Sequence, residues 1–312
     1  MNKITKQGGI APANALMLFT CALIWGTAFV AQSVGNNYMG PITFQASRSV
    51  LAIVVLLPLV IVRRRARTKR IKANDRNVQT YSFRTTVKGG LLCGLMLCSA
   101  SILQQIGITG TDVGKSGFIT AMYIVLVPVL SFFISRKASV RVWVSVAIAV
   151  TGLYFLCVSG GSLAGITKYD LMLVACAFLF SLQIILIDCF AKKVDGVELS
   201  LGQFITTTVI SVILMFVFER PQISDIISGA FPVVYAGIMS SGVAYTLQIV
   251  GQKGQDPTIS SLIMSLESVI SVLAGWVILG QKLTAREGVG CVLMFLAIIL
   301  AQLPDKKKNK GV

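Results

Sequence analysis

Ten stretches of about twenty predominantly apolar residues, separated by short polar breaks, constrain this chain more than any other feature. They fall at about 14–34, 42–62, 87–107, 113–134, 141–159, 169–191, 198–218, 231–251, 257–279 and 286–303. A bilayer core of roughly 30 Å takes about twenty helical residues to cross, so each stretch reads as a transmembrane helix. Backbone amides cannot stay unpaired in hydrocarbon, and no alternating pattern suits a barrel strand. The expected fold class is therefore all-α: a polytopic membrane protein with about ten transmembrane helices. Composition agrees, with 55% hydrophobic residues, 13% charged residues and a mean hydropathy of +0.80. Length alone would suggest two soluble domains, but a single membrane domain fits the pattern better.

The net charge of +16 sits in loops and tails between the apolar runs, where it suits a cytoplasmic leaflet and not nucleic acid. With ten spans and a cytoplasmic N-terminus, the inside collects Lys3, Lys6, the run Arg63 to Lys88, Arg136, Lys137, Arg141, Lys192, Lys193, Lys253 and Lys306 to Lys310. The outside collects only Lys115, Lys168, Arg220, Lys282 and Arg286. Lys and Arg resist translocation, so this asymmetry predicts both termini inside and argues against nine or eleven spans. The first apolar run mimics a signal peptide after Lys3 and Lys6, yet reaches about Val34 with no convincing cleavage site, and is read as an uncleaved helix. Residues 63–88 read as a basic, partly disordered cytoplasmic loop held near anionic lipid, and 304–312 as a basic cytoplasmic tail.

Cys21, Cys93, Cys98, Cys157, Cys176, Cys189 and Cys291 all lie in or beside apolar runs, with no CxxC spacing, and the chain has no histidine. No metal site, cofactor motif or Ser/His/Asp triad is expected, and intramembrane proton chemistry would fall to the few carboxylates. The absence of a Walker loop argues against an ATP-driven pump, and no cluster of catalytic groups suggests an enzyme.

The segment Leu16-Met-Leu-Phe-Thr-Cys-Ala22 returns as Leu171-Met-Leu-Val-Ala-Cys-Ala177, an offset of 155 that carries Arg48 onto Gln203. Gly94, Met96, Gln105 and Ile106 match Gly237, Met239, Gln248 and Ile249 at 143, and Arg141 and Val144 match Arg286 and Val289 at 145. The chain reads as a duplication, with halves at 14–158 and 169–303. Each half has five helices, an odd number, so the second enters the membrane from the opposite side. Such inverted repeats can enclose a midplane cavity that opens alternately to either face.

These residues resemble the EamA type of the drug/metabolite transporter superfamily over nearly the whole chain. The resemblance is carried by Ala22-Leu-Ile-Trp-Gly-Thr-Ala-Phe29, Arg48, Gln105, and Leu266-Glu267 followed by Gly280-Gln-Lys-Leu283. It implies two EamA repeats, a bacterial-type inner membrane location and efflux of amino acids or related metabolites by a permease. The family commonly has Pro after the helix 9 Glu and an acidic residue in the following "GE" step. Here Ser268 and Gln281 stand there, and the first half keeps Pro128 but reads Ser135-Arg136.

Among single residues, Glu267 stands near the middle of its helix, where an ionised carboxylate facing lipid costs several kcal/mol. It should face the interior or a cavity, or carry a proton, and is the candidate coupling residue; a packing carboxylate bonded to Ser265 or Ser268 is the competing reading. Arg48, about 9 Å from the end of helix 2, can hold a substrate carboxylate, pair with Glu267, or snorkel to the interface. Gln105, Gln248 and Gln183 offer amides to a polar solute or to a neighbouring helix. Trp25, Tyr123 and Tyr245 offer apolar faces with a polar tip, for a ligand or for packing. Asp188 with Lys192 suits a solvated ion pair, and Ala22/Gly26 and Gly90/Gly94 suit close helix approach.

The expected function is secondary active transport of small organic metabolites by alternating access, with a small-molecule substrate, protons and membrane lipid as partners and a monomer or homodimer as the unit. The alternative is a lipid scramblase or flippase-like protein, which would show a lipid-facing polar groove in place of a closed cavity.

Overall fold

The computed structural model describes residues 10–73, 75, 79–135, 140–157, 167–280 and 284–303. Lys3, Lys6, Arg136, Lys137, Gln281, Lys282, Leu283 and the tail 304–312 lie outside the described residues.

Among the described residues every regular element is helical. Ten principal helices succeed one another: α1 Pro12–Gly35, α2 Pro41–Lys72, α3 Phe83–Ile108, α4 Val113–Phe133, α5 Val140–Cys157, α6 Lys168–Ala191, α7 Gly196–Phe218, α8 Ala230–Gln252, α9 Pro257–Ile278 and α10 Ala285–Gln302. Eight are long and apolar enough to span a bilayer, while α5 and α10 carry shorter apolar stretches and pack on each other.

Their starts are set by local chemistry. Pro12, Pro41 and Pro257 occupy the first turn, where proline loses no hydrogen bond. Asp195 accepts from the Val197 and Glu198 amides, Asp256 accepts from those of Thr258 and Ile259, and Thr167 forms a capping box with Asp170. Gly280 ends the last turn of α9 in a left-handed conformation (φ 67°).

Close contacts establish how the halves relate. Asn14 at the start of α1 reaches Gly251 at the end of α8, and Lys253 reaches Tyr81 before α3; these define one end of the bundle. Lys115 at the start of α4 pairs with Asp170 at the start of α6 at the other end. The Leu16 and Leu171 segments thus begin on opposite ends. α2 and α7 run antiparallel, because Arg64 meets Glu198 at one end and Ile42 meets Glu219 at the other.

Interhelix packing obeys the same exchange. Gly94 backs onto Gln203 and Thr206, and Gly237 backs onto Arg48 and Leu51, residues displaced by 155. Gly107 packs against Leu173, and Gly251 against Leu18, again 155 apart. Swapping each helix for the one five places along preserves the neighbours. The two five-helix halves are inverted copies about an approximate two-fold axis.

Two expectations change. Residues 63–72 continue α2 as helix and do not form a disordered loop. The reason is distant in sequence: Arg64 meets Glu198 at 2.8 Å, and Arg67 meets Asp195 and Glu198 at 3.0 Å each, so the basic turns are pinned to α7. Secondly, the match of Gln105 to Gln248 shifts by one residue. Within α8, Tyr235–Ala244 is a π-helix, which accommodates one more residue in the same rise. The glycine pairs stand 143 apart near its start (Gly94, Gly237) and 144 apart after it (Gly107, Gly251). Gln248 therefore corresponds to Gln104, and Gln105 to Ile249.

Candidate functional site

A narrow cavity lies between the halves. Its lining repeats the duplication. Trp25 faces with Phe180 and Phe29 with Ile184, each pair 155 apart; Gln104 with Gln248, Thr120 with Met264 and Tyr123 with Glu267 are each 144 apart. The cavity therefore straddles the two-fold axis, and its remaining members, chiefly Arg48, Gln32, Gln183, Ser240 and Tyr245, break the symmetry.

Tyr123 and Glu267 are placed by matching irregularities in α4 and α9. At Met122 (φ −59°, ψ −12°) and Ser265 (φ −63°, ψ −11°) the helix tightens. Amides there bond three residues back, Met122 to Ile119 and Ser268 to Ser265. Such a 3₁₀ turn within a helix rotates the helical turns beyond it and is a common hinge. Each turn delivers its next polar side chain inward, about 15 Å from the helix start, which is close to mid-membrane.

Glu267 is 4% exposed. Ser265 and Ser268, offered by the packing reading as its partners, instead donate to the carbonyls of Leu262 and Ser265 at 2.8 and 2.7 Å. The Tyr123 hydroxyl lies beside the Glu267 carboxylate without a fully formed hydrogen bond.

Arg48 is 2% exposed, so it does not snorkel. Its Nε donates to Gln45 at 2.6 Å, one turn back on α2. Among the described residues no carboxylate lies within ion-pair distance of its guanidinium, Glu267 included. An isolated buried cation of this kind is costly unless something neutralises it.

Gln183 sits at the centre of an amide chain, accepting from Gln248 at 3.4 Å and donating to Gln203 at 3.3 Å. The Gln248 Oε1 and Trp25 Nε1 atoms are buried without a partner among the described residues. Tyr245 packs at a tilt against Trp25 (centroids 4.8 Å) and edge-on to Phe204 (5.6 Å), forming an aromatic wall.

Of the residues singled out from sequence, Trp25, Arg48, Tyr123, Gln183, Tyr245, Gln248 and Glu267 converge on this cavity. Gln105 does not: its amide nitrogen donates to the Gln32 carbonyl at 3.1 Å and to Asn36 at 2.8 Å, tying α3 to α1. Its neighbour Gln104 takes the lining position. Phe29, which ends the Ala22–Phe29 run, also lines the cavity, as do Gln32, Thr120, Phe180, Ile184, Ser240 and Met264, which the sequence did not single out. Asp188 and Lys192 form the expected ion pair at 2.8 Å, away from the cavity.

An inverted ten-helix bundle with a partly charged cavity across its two-fold axis defines a multi-pass membrane transporter. The chain belongs to the EamA-like transporter family, whose model matches residues 13–158 and 167–303. An "Uncharacterized transporter" of Archaeoglobus fulgidus is 26% identical over 306 residues, covering 96% of this chain and 90% of that protein. The "Uncharacterized transporter YoaV" of Bacillus subtilis is 20% identical over 291 residues, covering 91% and 95%. A solved crystal structure shares the fold with a TM-score of 0.72 at 19% identity, covering 92% of this chain and 96% of that one.

Proposed function

We propose that this transporter moves small organic metabolites bearing both a carboxylate and an ammonium group, amino acids or close relatives. Transport is outward across a bacterial-type cytoplasmic membrane, by alternating access, with both termini in the cytoplasm. The observation that carries the reading is the pairing of charges in one cavity. Arg48 comes from the first half with no carboxylate partner among the described residues, and Glu267 comes from the second half. A zwitterion laid between them neutralises both, and bidentate carboxylate recognition suits a guanidinium better than any other side chain. Gln183 and Gln248 would bond the polar groups of the solute, and Trp25, Tyr123 and Tyr245 would cover its apolar part.

Glu267 is the proposed coupling residue, exchanging a proton when the cavity is empty. The 3₁₀ turns at Met122 and Ser265 would serve as the flexing points of α4 and α9. The unit is a monomer or homodimer, and the chemistry offered is binding and release, not bond breaking. The polar groups face one another inside the bundle, which disfavours the lipid-handling alternative, since that needs a groove open to acyl chains.

The test is a thermal-shift screen of the purified full-length chain with amino acids, the corresponding amines lacking the carboxylate, and the corresponding acids lacking the amine. Zwitterions should raise the melting temperature most, as ligands that bind only the folded state do. Equal shifts from an amine and its parent amino acid would remove Arg48 from substrate recognition and the proposal with it.

A further inference from the structure

A second pocket, open to solvent, lies outside the central cavity at the end that carries the start of α7. It is lined by Arg63, Arg67, Arg70, Gln79, Tyr81 and Asp195. The Tyr81 ring is its anchor: the Arg67 guanidinium lies 5.1 Å from the ring centroid and the Lys253 ammonium 5.7 Å, with Lys253 Nζ donating to the Tyr81 hydroxyl at 3.5 Å.

Charge here does not balance. Arg63, Arg64, Arg67, Arg70 and Lys253 surround Asp75, Asp195 and Glu198, leaving two cations in excess among the described residues. The carboxylates are committed. Asp195 Oδ1 caps α7, while Oδ2 takes Arg67 at 3.0 Å and holds Arg63 only at 3.9 Å. Among the described residues both ion contacts of Arg67 run through Nη2, which leaves the other donors of its five-donor fork without an ion-pair partner there.

Depth narrows the ligand. Residues 41–62 of α2 cover about 33 Å at 1.5 Å per residue, the thickness of the hydrocarbon core. Arg63 then begins at headgroup level, and Arg70 lies about 10 Å beyond it.

We propose that this pocket binds a phosphate ester, with the headgroup of an anionic phospholipid or a soluble phosphate monoester as its two sources. Bound there, the phosphate meets Arg63, Arg67 and Arg70 of the lining, with Lys253 held against the Tyr81 ring at its edge. It reinforces the strap that ties α2 of the first half to α7 of the second. This role is separate from the central cavity and does not depend on the substrate proposed for it.

The test uses the full-length chain in neutral detergent micelles doped with phosphatidylglycerol, phosphatidylcholine or soluble glycerol phosphate, reading bound lipid by native mass spectrometry and stability by thermal shift. Phosphatidylglycerol should bind and raise the melting temperature where phosphatidylcholine does not. An equal shift from glycerol phosphate alone would identify the soluble ester as the source. Each cation near an anionic headgroup contributes about a fivefold factor in affinity. The double variant Arg63→Gln/Lys253→Gln should therefore lose phosphatidylglycerol by tenfold or more, while the charge-keeping Arg63→Lys/Lys253→Arg retains most of it. The variant Arg84→Gln/Lys88→Gln, basic but outside the pocket, should bind as the parent does. Equal retention of phosphatidylcholine, undiminished binding by Arg63→Gln/Lys253→Gln, or an equal loss in Arg84→Gln/Lys88→Gln would overturn the proposal.

Discussion

The two halves share a backbone plan but not a polar inventory. Where the first half places Arg48 on α2, the second places Gln203 on α7; where the first ends a 3₁₀ turn with Tyr123, the second ends it with Glu267. The scaffold supplies near-equivalent access from both ends, and the unequal side chains supply a direction in which a ligand can lie. Making the halves alike is thus the sharpest way to break the site. Arg48→Gln copies the Gln203 position into the first half and removes a buried charge, so folding should survive. Binding of a carboxylate-bearing solute should fall about a hundredfold, since truncating one side of a buried charge pair costs about 2–5 kcal/mol. Titration of the purified variant by thermal shift reads this directly, and affinity within threefold of the parent would remove Arg48 from the site.

Glu267 tests the other half of the comparison. Glu267→Gln keeps shape and hydrogen bonding but cannot release a proton. Uptake by reconstituted vesicles should lose its dependence on pH, with a maximal rate lowered about tenfold. The reciprocal change Tyr123→Phe removes only a hydroxyl beside Glu267 and should leave pH dependence in place. Full, pH-sensitive transport by Glu267→Gln would end the coupling role.

Close packing at the axis gives a smaller and more symmetric effect. A side chain at Gly94 would meet the Gln203 carbonyl and Thr206, and one at Gly237 would meet Leu51 and the Arg48 carbonyl. Gly94→Ala and Gly237→Ala should each destabilise by about 1–3 kcal/mol, as overpacking does, with the melting temperature as readout. Gly237→Ala should in addition weaken ligand binding, because the backbone it displaces carries Arg48. Equal effects on binding from both variants would argue against a local displacement.

The helices, their inversion and the charged residues that line the cavity were legible because lipid penalises exceptions: an Arg or Glu in an apolar run has to be buried for a reason. The exchange of Gln105 for Gln104 was not. Gln105-Ile-Gly107 and Gln248-Ile-Val-Gly251 reveal that the second half gains a residue, but not on which side of the glutamine. Only the π-turn of Tyr235–Ala244 places the extra residue before Gln248, and nothing in that apolar, glycine-bearing stretch distinguishes a π-turn from an ordinary helix. The helical course of Arg63 to Lys72 was hidden for a different cause. Its partners Asp195 and Glu198 lie some 130 positions away, and local charge density points instead to solvent.

The two ends of the α2 and α7 pair make the finest comparison, because they are the same contact drawn twice. Arg64 and Glu198 meet at one end, and 155 residues of displacement turn them into Glu219 and Thr43, which meet at the other. One end is held by ion pairs from Arg64, half exposed to solvent, and from the more buried Arg67. The other is held by a carboxylate that accepts the Ile42 and Thr43 amides at 2.9 and 2.8 Å, capping the start of α2. Glu198→Gln should loosen the first end and Glu219→Gln the second, each by about 1 kcal/mol, the typical size of partly exposed ion pairs or of a helix cap. That shift corresponds to about fivefold in the population open on one side. Single cysteines at Gln248, about 6 Å inside the first end, and at Gln104, about 6 Å inside the second, would report it through labelling by an impermeant thiol reagent in a background lacking native cysteines. Faster labelling at 248 in Glu198→Gln and at 104 in Glu219→Gln is the expected outcome. A change at the same position in both variants would mean that the two contacts hold the pair together without governing which side opens.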